Sequence, residues 1–149
     1  MRLLDGKKIE YDSFCYVDTP TTVGTEVASL LGQDPNRVFK TLVTVGASGE
    51  HYVFVVPVNH ELDLKKAAKS VSEKKVEMIK SKELLPLTGY IHGGCSPIGM
   101  KKFFKTVIDS SAENFDKIFF SAGKIGYQVG VKTEDIEKII RVEYSDIMS

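Results

Sequence analysis

The stretch VFKTLVTVGASGEHYVFVVPV, residues 38–58, decides the fold of this chain. Both halves are rich in β-branched and aromatic residues, and a turn containing glycine and serine at residues 46–49 separates them. This pattern predicts two strands that form a hairpin. Pro57 marks the end of the second strand, because a proline cannot donate to a strand ladder. The second strand is almost entirely apolar, so we expect it to be buried on both faces.

Lys40 is the one cation inside the first of these two strands. Side chains alternate between the two faces of a strand, which places Lys40, Leu42 and Thr44 on one face and Phe39, Thr41 and Val43 on the other. A lysine in an apolar strand either reaches water from the end of the strand or points into a cleft where its charge is used. Both interpretations stay open from the residues alone.

Shorter elements precede and follow the hairpin. Apolar periodicity and turn residues predict further strands at residues 13–17, 75–78, 106–109, 117–121, 126–131 and 141–144. The same criteria predict helices at residues 22–31, 64–71, 81–85 and 134–140, with Gly32 and Pro86 as stops and Thr133 as a cap. Six or seven strands and four or five helices in this order predict an α+β fold with a mixed sheet.

The composition is that of a folded protein of one domain. The chain has 149 residues, of which 42% are hydrophobic and 27% charged, and these values exclude intrinsic disorder. No apolar run approaches the ~18–20 residues that span a bilayer, and residues 1–11 lack the apolar core of a secretion signal. Cys15 and Cys95 form no CxxC pair, which favours free thiols in a reducing compartment. We therefore expect a cytoplasmic protein.

The balanced net charge conceals a basic segment. Residues 64–105 contain ten lysines and three glutamates, with no arginine or aspartate, which is a local excess of seven positive charges. A basic segment in a chain of zero net charge can meet a polyanion on one face while the protein stays soluble. The alternative is an ordinary lysine-rich surface that faces water.

Most familiar catalytic patterns are missing from the sequence. The three histidines show no metal-ligand spacing, and the sequence contains no GxSxG, Walker or GxGxxG pattern. His92 and Cys95 lie close in sequence, but nothing nearby orients the imidazole, so a packed and passive thiol is the default. The stretch GGCSPIG, residues 93–99, is the second notable feature beside Lys40. Its glycines allow a backbone to approach a ligand and to turn N–H groups toward an ester carbonyl.

Three motifs in register resemble one known family. They are VFKTL at residues 38–42, GGCSPIG at 93–99 followed by Lys101 and Lys102, and SAGKIG at 121–126. In this order and spacing, the sequence resembles the bacterial YbaK/EbsC family from about residue 15 to residue 146. Its members are free-standing Cys-tRNA(Pro)/Cys-tRNA(Cys) deacylases related to the insertion domain of prolyl-tRNA synthetase. The resemblance implies a single editing domain over residues 1–149, with a mixed, partly closed, barrel-like sheet surrounded by helices.

The resemblance also implies roles for individual residues. Lys40 matches the family's functionally essential lysine. The expected substrate-binding residues are Thr41, Gly93, Gly94, Ser96, Pro97, Gly99, Ser121, Ala122 and Gly123. The expected tRNA-binding residues are Lys65, Lys66, Lys69, Lys101, Lys102 and Lys124. No metal and no cofactor are expected.

The implied activity is the removal of cysteine from mischarged Cys-tRNA(Pro), with Cys-tRNA(Cys) as a further substrate left open. The favoured mechanism uses the substrate's own thiol, which attacks the ester carbonyl and releases a thiolactone; hydrolysis by water is the alternative. A transient complex with prolyl-tRNA synthetase is expected, and no membrane. Two other functions stay open: a deacylase for a different mischarged tRNA such as Ala-tRNA(Pro), and a non-catalytic module that binds RNA or a synthetase.

Overall fold

The structure is a computed structural model that describes residues 11–15, 28, 31–90, 95–98, 100, 104–123 and 127–149. The eight strands are β1 Tyr11–Cys15, β2 Phe39–Gly46, β3 His51–Pro57, β4 Val76–Met78, β5 Lys105–Asp109, β6 Lys117–Ser121, β7 Tyr127–Lys132 and β8 Val142–Ser145. The helices are α1 Leu64–Ser70, α2 Ser81–Thr88 and α3 Thr133–Ile139, with short 3-10 turns at Pro35–Arg37 and Ser110–Asn114. Most of the helix predicted at residues 22–31 lies outside these ranges.

The strands form two sheets. The larger has the order β4-β2-β3-β5-β8, in which β4, β2 and β3 are antiparallel and β3, β5 and β8 are parallel. The smaller is antiparallel, with the order β1-β7-β6. The mixed α+β fold is therefore confirmed, and the described residues alone contain eight strands instead of the six or seven expected. The described strands form no closed barrel, so the barrel-like description is not confirmed.

The hairpin predicted at residues 38–58 is confirmed. Strands β2 and β3 pair antiparallel, with Lys40 opposite Val56 near the open end and Val45 opposite His51 near the turn. Strand β3 is buried on both faces, because Val53 and Val55 face one core and Phe54 and Val56 face another.

Two hydrophobic cores lie on opposite faces of β2 and β3. The first core takes side chains from both sheets and from α3; its main members are Phe39, Val43, Val53, Val55, Ile108, Ile118, Phe120, Val129, Val131 and Ile136. The second core lies between the larger sheet and α1; it contains Tyr52, Phe54, Val56, Ala67, Ala68, Val71, Val76, Val107 and Ile147. Phe39 and Val43 are in the first core, and Leu42 packs against the second. The predicted alternation along β2 is therefore confirmed.

Two helix predictions are wrong in detail. Pro86 was expected to stop a helix after residue 85, but α2 continues to Thr88. Proline removes one helical hydrogen bond, and the last turn is held by others: the Thr88 hydroxyl donates to the Leu84 carbonyl at 2.8 Å, and the Gly89 N–H donates to the Leu85 carbonyl at 2.9 Å. Thr133 is the first residue of α3 instead of its cap. Its hydroxyl donates to the Phe115 carbonyl at 2.9 Å.

Residues that follow β8 contribute to the second core. Ile147 is fully buried, and its N–H donates to Asp109 Oδ1 at 3.0 Å. The other oxygen of the Asp109 carboxylate accepts from the Ser111 N–H at 3.0 Å, so this buried carboxylate holds two separate segments. No helix in the described ranges is long and apolar enough to cross a membrane.

Candidate active site

Lys40 lies at the rim of the larger sheet. Its side chain is 27% exposed, and its Nζ lies 3.3 Å from Oε2 of Glu61, whose side chain is 82% exposed. The alkyl part of the Lys40 side chain is therefore largely covered, while its ammonium pairs with a carboxylate that is exposed to water. An ion pair of this kind is weak, so another anion can replace the Glu61 carboxylate beside Lys40.

A single bridge aligns Lys40 with the SAGK turn. Val38 and Phe119 form an isolated parallel bridge that joins the start of β2 to β6. Lys40 and Ser121 each follow their bridge residue by two positions. Because bridged residues share a face and side chains alternate along a strand, Lys40 and Ser121 lie on the same face of the joined sheets. We call this surface the Lys40–Ser121 face.

A glutamine lies beside Ser121 on this face, and a second glutamine is hydrogen-bonded to it. Gln128 is opposite Ser121 in the β6–β7 ladder and is only 4% exposed. The Gln33 amide donates from Nε2 to Oε1 of Gln128 at 2.7 Å. Oε1 of Gln33 is buried and has no hydrogen-bond partner among the residues that the structure describes. This acceptor is available to a donor group of a ligand, because a buried polar atom gains from any partner that it finds.

Sequence reasoning missed these glutamines, although one signal was present. Gln128 interrupts the otherwise apolar centre of the strand YQVGVK, and a polar side chain at such a position must find a partner. Gln33 gives no comparable signal, because its contact with Gln128 joins positions 95 residues apart in the chain.

Aromatic rings form an apolar patch on the same face. Phe14 of β1 and Phe119 of β6 meet edge to face, with ring centroids 5.6 Å apart. Gly130 of β7 lies directly under the Phe119 ring, since a Cβ at this glycine would come within 2.6 Å of Cε1 of the ring. Apolar rings next to a few convergent polar groups are typical of a small-molecule pocket.

The turn after β6 is held by its own hydrogen bonds. The Ser121 hydroxyl accepts from the Gly123 N–H at 3.2 Å, and the Ala122 N–H donates to the Tyr127 carbonyl at 3.1 Å. Gly123 has φ +96°, a left-handed conformation that a residue with a side chain rarely adopts. Among the described residues, none accepts the proton of the Ser121 hydroxyl, and the hydrogen bond from the Gly123 N–H helps to position its oxygen.

The described part of the glycine-rich loop packs into the first core. Cys95 is 9% exposed, and Ser96, Pro97 and Ile98 are buried. The Ser96 hydroxyl accepts from the Ile98 N–H at 3.4 Å. Thr41 is opposite Val55 and therefore also faces the first core, and its buried Oγ1 has no partner among the described residues. His92, Gly93, Gly94 and Gly99 lie outside the described residues.

Cys95 is not set up as a nucleophile. Burial raises the pKa of its thiol to about 12, so the sulfur stays protonated at neutral pH. Its place in the first core is also on the other side of β2 from Lys40. These two observations support the prediction of a packed thiol.

The lysines of α1 divide into two kinds. Lys66 donates to the Asp146 carboxylate at 3.0 Å and to the Met148 carbonyl at 3.1 Å, so it holds the last residues of the chain. Lys65 and Lys69 are exposed one helical turn apart. The other predicted tRNA-binding residues lie outside the described residues; they are Lys101, Lys102 and Lys124. Within the described ranges, no three histidine, cysteine or carboxylate side chains are grouped as metal ligands.

Comparison with known proteins gives the class of this protein. The model of the aminoacyl-tRNA editing domain matches residues 19–139. The chain therefore belongs to the aminoacyl-tRNA editing domain family, and the resemblance drawn from its three motifs is confirmed.

Particular relatives narrow the class. The chain is 43% identical over 148 residues to EbsC of Enterococcus faecalis, which is named for a Cys-tRNA(Pro)/Cys-tRNA(Cys) deacylase activity. This alignment covers 99% of the chain and 90% of EbsC. A proline–tRNA ligase of Pelobacter propionicus is 31% identical over 84 residues, which are 56% of this chain and 15% of the ligase. A solved structure described as a trans-editing enzyme for prolyl-tRNA synthetase has the same fold, with a TM-score of 0.85, 21% identity and coverage of 99% of this chain and 93% of the other.

Proposed function

We propose that this protein is an aminoacyl-tRNA deacylase that removes cysteine from mischarged Cys-tRNA(Pro), with residues 1–149 acting as one editing domain. The observation that carries the proposal is the alignment of Lys40 with Ser121 on one face by the Val38–Phe119 bridge. Both residues come from motifs that define the family resemblance. The 43% identity to a relative named for this activity points to the same substrate class.

The residues of the face favour a reaction without a protein nucleophile. Cys95 is protonated and lies on the other side of β2. In the described part of the chain, Ser121 has no histidine or carboxylate hydrogen-bonded to it, so no base activates its hydroxyl. This favours attack by the thiol of the substrate's own cysteine, the mechanism that the family resemblance implies, over hydrolysis by water.

The proposed step is an intramolecular acyl transfer. The substrate sulfur forms a bond to its ester carbonyl carbon, and the bond from that carbon to the ribose oxygen breaks. The thiol proton passes to the ribose oxygen, so the products are a cyclic thiolactone and tRNA with a free terminal hydroxyl. Seryl and alanyl esters lack this thiol and are expected to react poorly. The protein gains rate by holding thiol and carbonyl close together.

Four described residues of the face have a part in this step. The Ser121 hydroxyl donates to the carbonyl oxygen, which gains negative charge as the sulfur attacks. The Lys40 ammonium exchanges Glu61 for the anionic backbone of the terminal nucleotide. Phe14 and Phe119 cover the acyl group and exclude water. The roles of the glycines at 93, 94 and 99 stay predictions.

The basic segment and the synthetase relatives suggest how the tRNA arrives. A chain with zero net charge neutralises few phosphates, so its affinity for free tRNA is expected to be low. A transient complex with prolyl-tRNA synthetase would supply a tRNA that is already bound and mischarged. The protein would then work in the cytoplasm, where tRNA is charged.

The test is a panel of mischarged tRNAs given to the purified chain and to two lysine variants. Lys40→Ala should lose at least about 100-fold in deacylation of Cys-tRNA(Pro), the cost of removing one preorganised electrostatic group. Lys138→Ala is the control, because Lys138 also pairs with a carboxylate, Asp135, at 2.7 Å and lies on α3, outside the basic segment. Its activity should not change.

Three results would contradict the proposal in different ways. Full activity in Lys40→Ala would remove this lysine from the mechanism. Faster cleavage of Ala-tRNA(Pro) than of Cys-tRNA(Pro) would reject the cysteine specificity, and binding without turnover of any aminoacyl-tRNA would favour a binding module. A thiol reagent added during turnover separates the two release routes, because a thiolactone carries no free thiol and cysteine does.

A further inference from the structure

Tyr90 lies between the two glycine-rich segments of the chain. Its backbone is fixed to the end of α2, because its N–H donates to the Thr88 hydroxyl at 3.0 Å. Thr88 is 1% exposed, and its own hydroxyl donates back to the helix at the Leu84 carbonyl. The backbone of Tyr90 is therefore tied to a buried helix end.

The side chain of Tyr90 contacts both segments at once. Its hydroxyl donates to the carbonyl of Ile98, in the glycine-rich loop, at 2.6 Å. Its ring lies against Gly123 of the turn after β6, where a Cβ would come within 2.8 Å of ring atom Cε1 and 3.3 Å of the hydroxyl oxygen. Gly123 has no side chain to keep the ring away, and its φ of +96° independently requires glycine.

The hydrogen bond to Ile98 is costly to lose. Burial raises the pKa of Tyr90, so its hydroxyl stays protonated and remains a donor at neutral and mildly alkaline pH. Ile98 is fully buried, and a carbonyl there without its donor would pay for its removal from water. The hydrogen bond from Tyr90 therefore helps to hold Ile98 in its place on the first core.

We propose that Tyr90 is a positioning residue of the editing reaction: it holds the loop at Ile98 and the turn at Gly123 in one fixed relation. The effect passes to the Lys40–Ser121 face through the turn, because the Gly123 N–H donates to the Ser121 hydroxyl at 3.2 Å. When the ring is released, the Ser121 hydroxyl loses the fixed direction that it needs in the transition state. This inference rests on the proposed function for its catalytic part.

The test compares Tyr90→Phe with Tyr144→Phe in two measurements. Tyr90→Phe keeps the ring and removes only the hydroxyl. Tyr144 is a matched control, because it also packs partly buried against the first core but lies on β8, paired with β5 at the edge of the larger sheet. The first measurement is kcat and KM for Cys-tRNA(Pro), well below the melting temperature of each variant. The second is the rate at which a thiol reagent modifies buried Cys95, with exposed Cys15 as an internal reference.

Tyr90→Phe should lower kcat about five- to tenfold with KM unchanged, the effect of one lost hydrogen bond. It should also speed the modification of Cys95 several-fold, since Cys95 lies in the loop that Tyr90 holds. Tyr144→Phe should change neither. An unchanged kcat in Tyr90→Phe, or an equal loss in Tyr144→Phe, overturns the positioning role.

The two proposals fail in different ways. If the unaltered chain cleaves no aminoacyl-tRNA, the proposed function is wrong, and an unchanged rate of Cys95 modification in Tyr90→Phe then rejects the link between loop and turn. Gly123→Ala perturbs the same contact from the other side. In the double variant, the fold loss in kcat should be smaller than the product of the two single losses, because both substitutions disturb the same contact.

Discussion

The variant Cys95→Ala asks whether the protein supplies the attacking sulfur. Burial raises the pKa of Cys95 to about 12 from the ordinary 9.0 of an exposed thiol. At pH 7.5 the thiolate is then present in about 3 of 100,000 molecules, against about 3 in 100 for an exposed cysteine. A mechanism through this sulfur would carry a handicap of about 1,000-fold, or about 4 kcal/mol.

The assay is single-turnover deacylation of Cys-tRNA(Pro) at pH 7.5. Cys95→Ala should react within about twofold of the unaltered chain, because its sulfur only packs, and its unfolding free energy should fall by about 1 kcal/mol. A loss of activity of about 100-fold or more, in a variant whose circular dichroism matches the parent, would refute this reasoning and restore the protein thiolate as nucleophile.

The same burial makes stability depend on alkaline pH. The folded state binds the Cys95 proton more tightly than the unfolded state, so this contribution is complete below pH 9 and is lost as the pH rises from 9 toward 12. The loss is at most about 1.4 kcal/mol per pH unit. Melting temperatures between pH 8.5 and 10 should therefore fall more steeply for the unaltered chain than for Cys95→Ala, and parallel curves would contradict the assigned burial effect.

Three further perturbations test other parts of the structure. Hydrogen bonds from a serine and a tyrosine hydroxyl lower the pKa of Glu73. The stability that this carboxylate adds is therefore present above its ordinary pKa of 4.5 and is lost as the pH falls through the lowered pKa. Melting temperatures of Glu73→Gln measured between pH 3 and 7 should lack this dependence. Pro86→Ala should raise the unfolding free energy by about 1 kcal/mol in urea titrations, because it restores a helical donor in exposed α2, and a lower value would show that the proline is favourable where it is. The pair Lys65→Gln and Lys69→Gln should raise KM for tRNA and weaken its salt dependence, whereas Lys66→Gln should mainly lower the melting temperature.

Local signals in the sequence were enough to predict the centre of the fold. The hairpin at residues 38–58 was predictable because both strands are rich in β-branched and aromatic residues, the turn between them contains glycine, and the two strands are adjacent in the chain. The strand at Lys117–Ser121 was predicted with its observed bounds for the same reason. Lys40 stood out because a charge in such a strand must reach water or a partner, and the structure gives it Glu61.

Pairing between distant segments could not be predicted in this way. The parallel ladders of β3 with β5 and of β5 with β8 join strands separated by long stretches of chain, and alternation along a strand says nothing about its neighbour. The bridge between Val38 and Phe119 is likewise invisible in the sequence. The motifs in the sequence were therefore enough to predict residues of the candidate site, but not that Lys40 and Ser121 share a face, which depends on this bridge.

The burial of Ile147 beneath α1 has a consequence for synthesis of the protein. Ile147 completes the second core, of which the first buried residue in the chain is Tyr52, and its N–H donates to a carboxylate oxygen of Asp109. On the ribosome the β2–β3 hairpin can form early, but that core stays open until residue 147 has been translated and has left the exit tunnel. Chains that stall before residue 147 should therefore expose an apolar surface to chaperones.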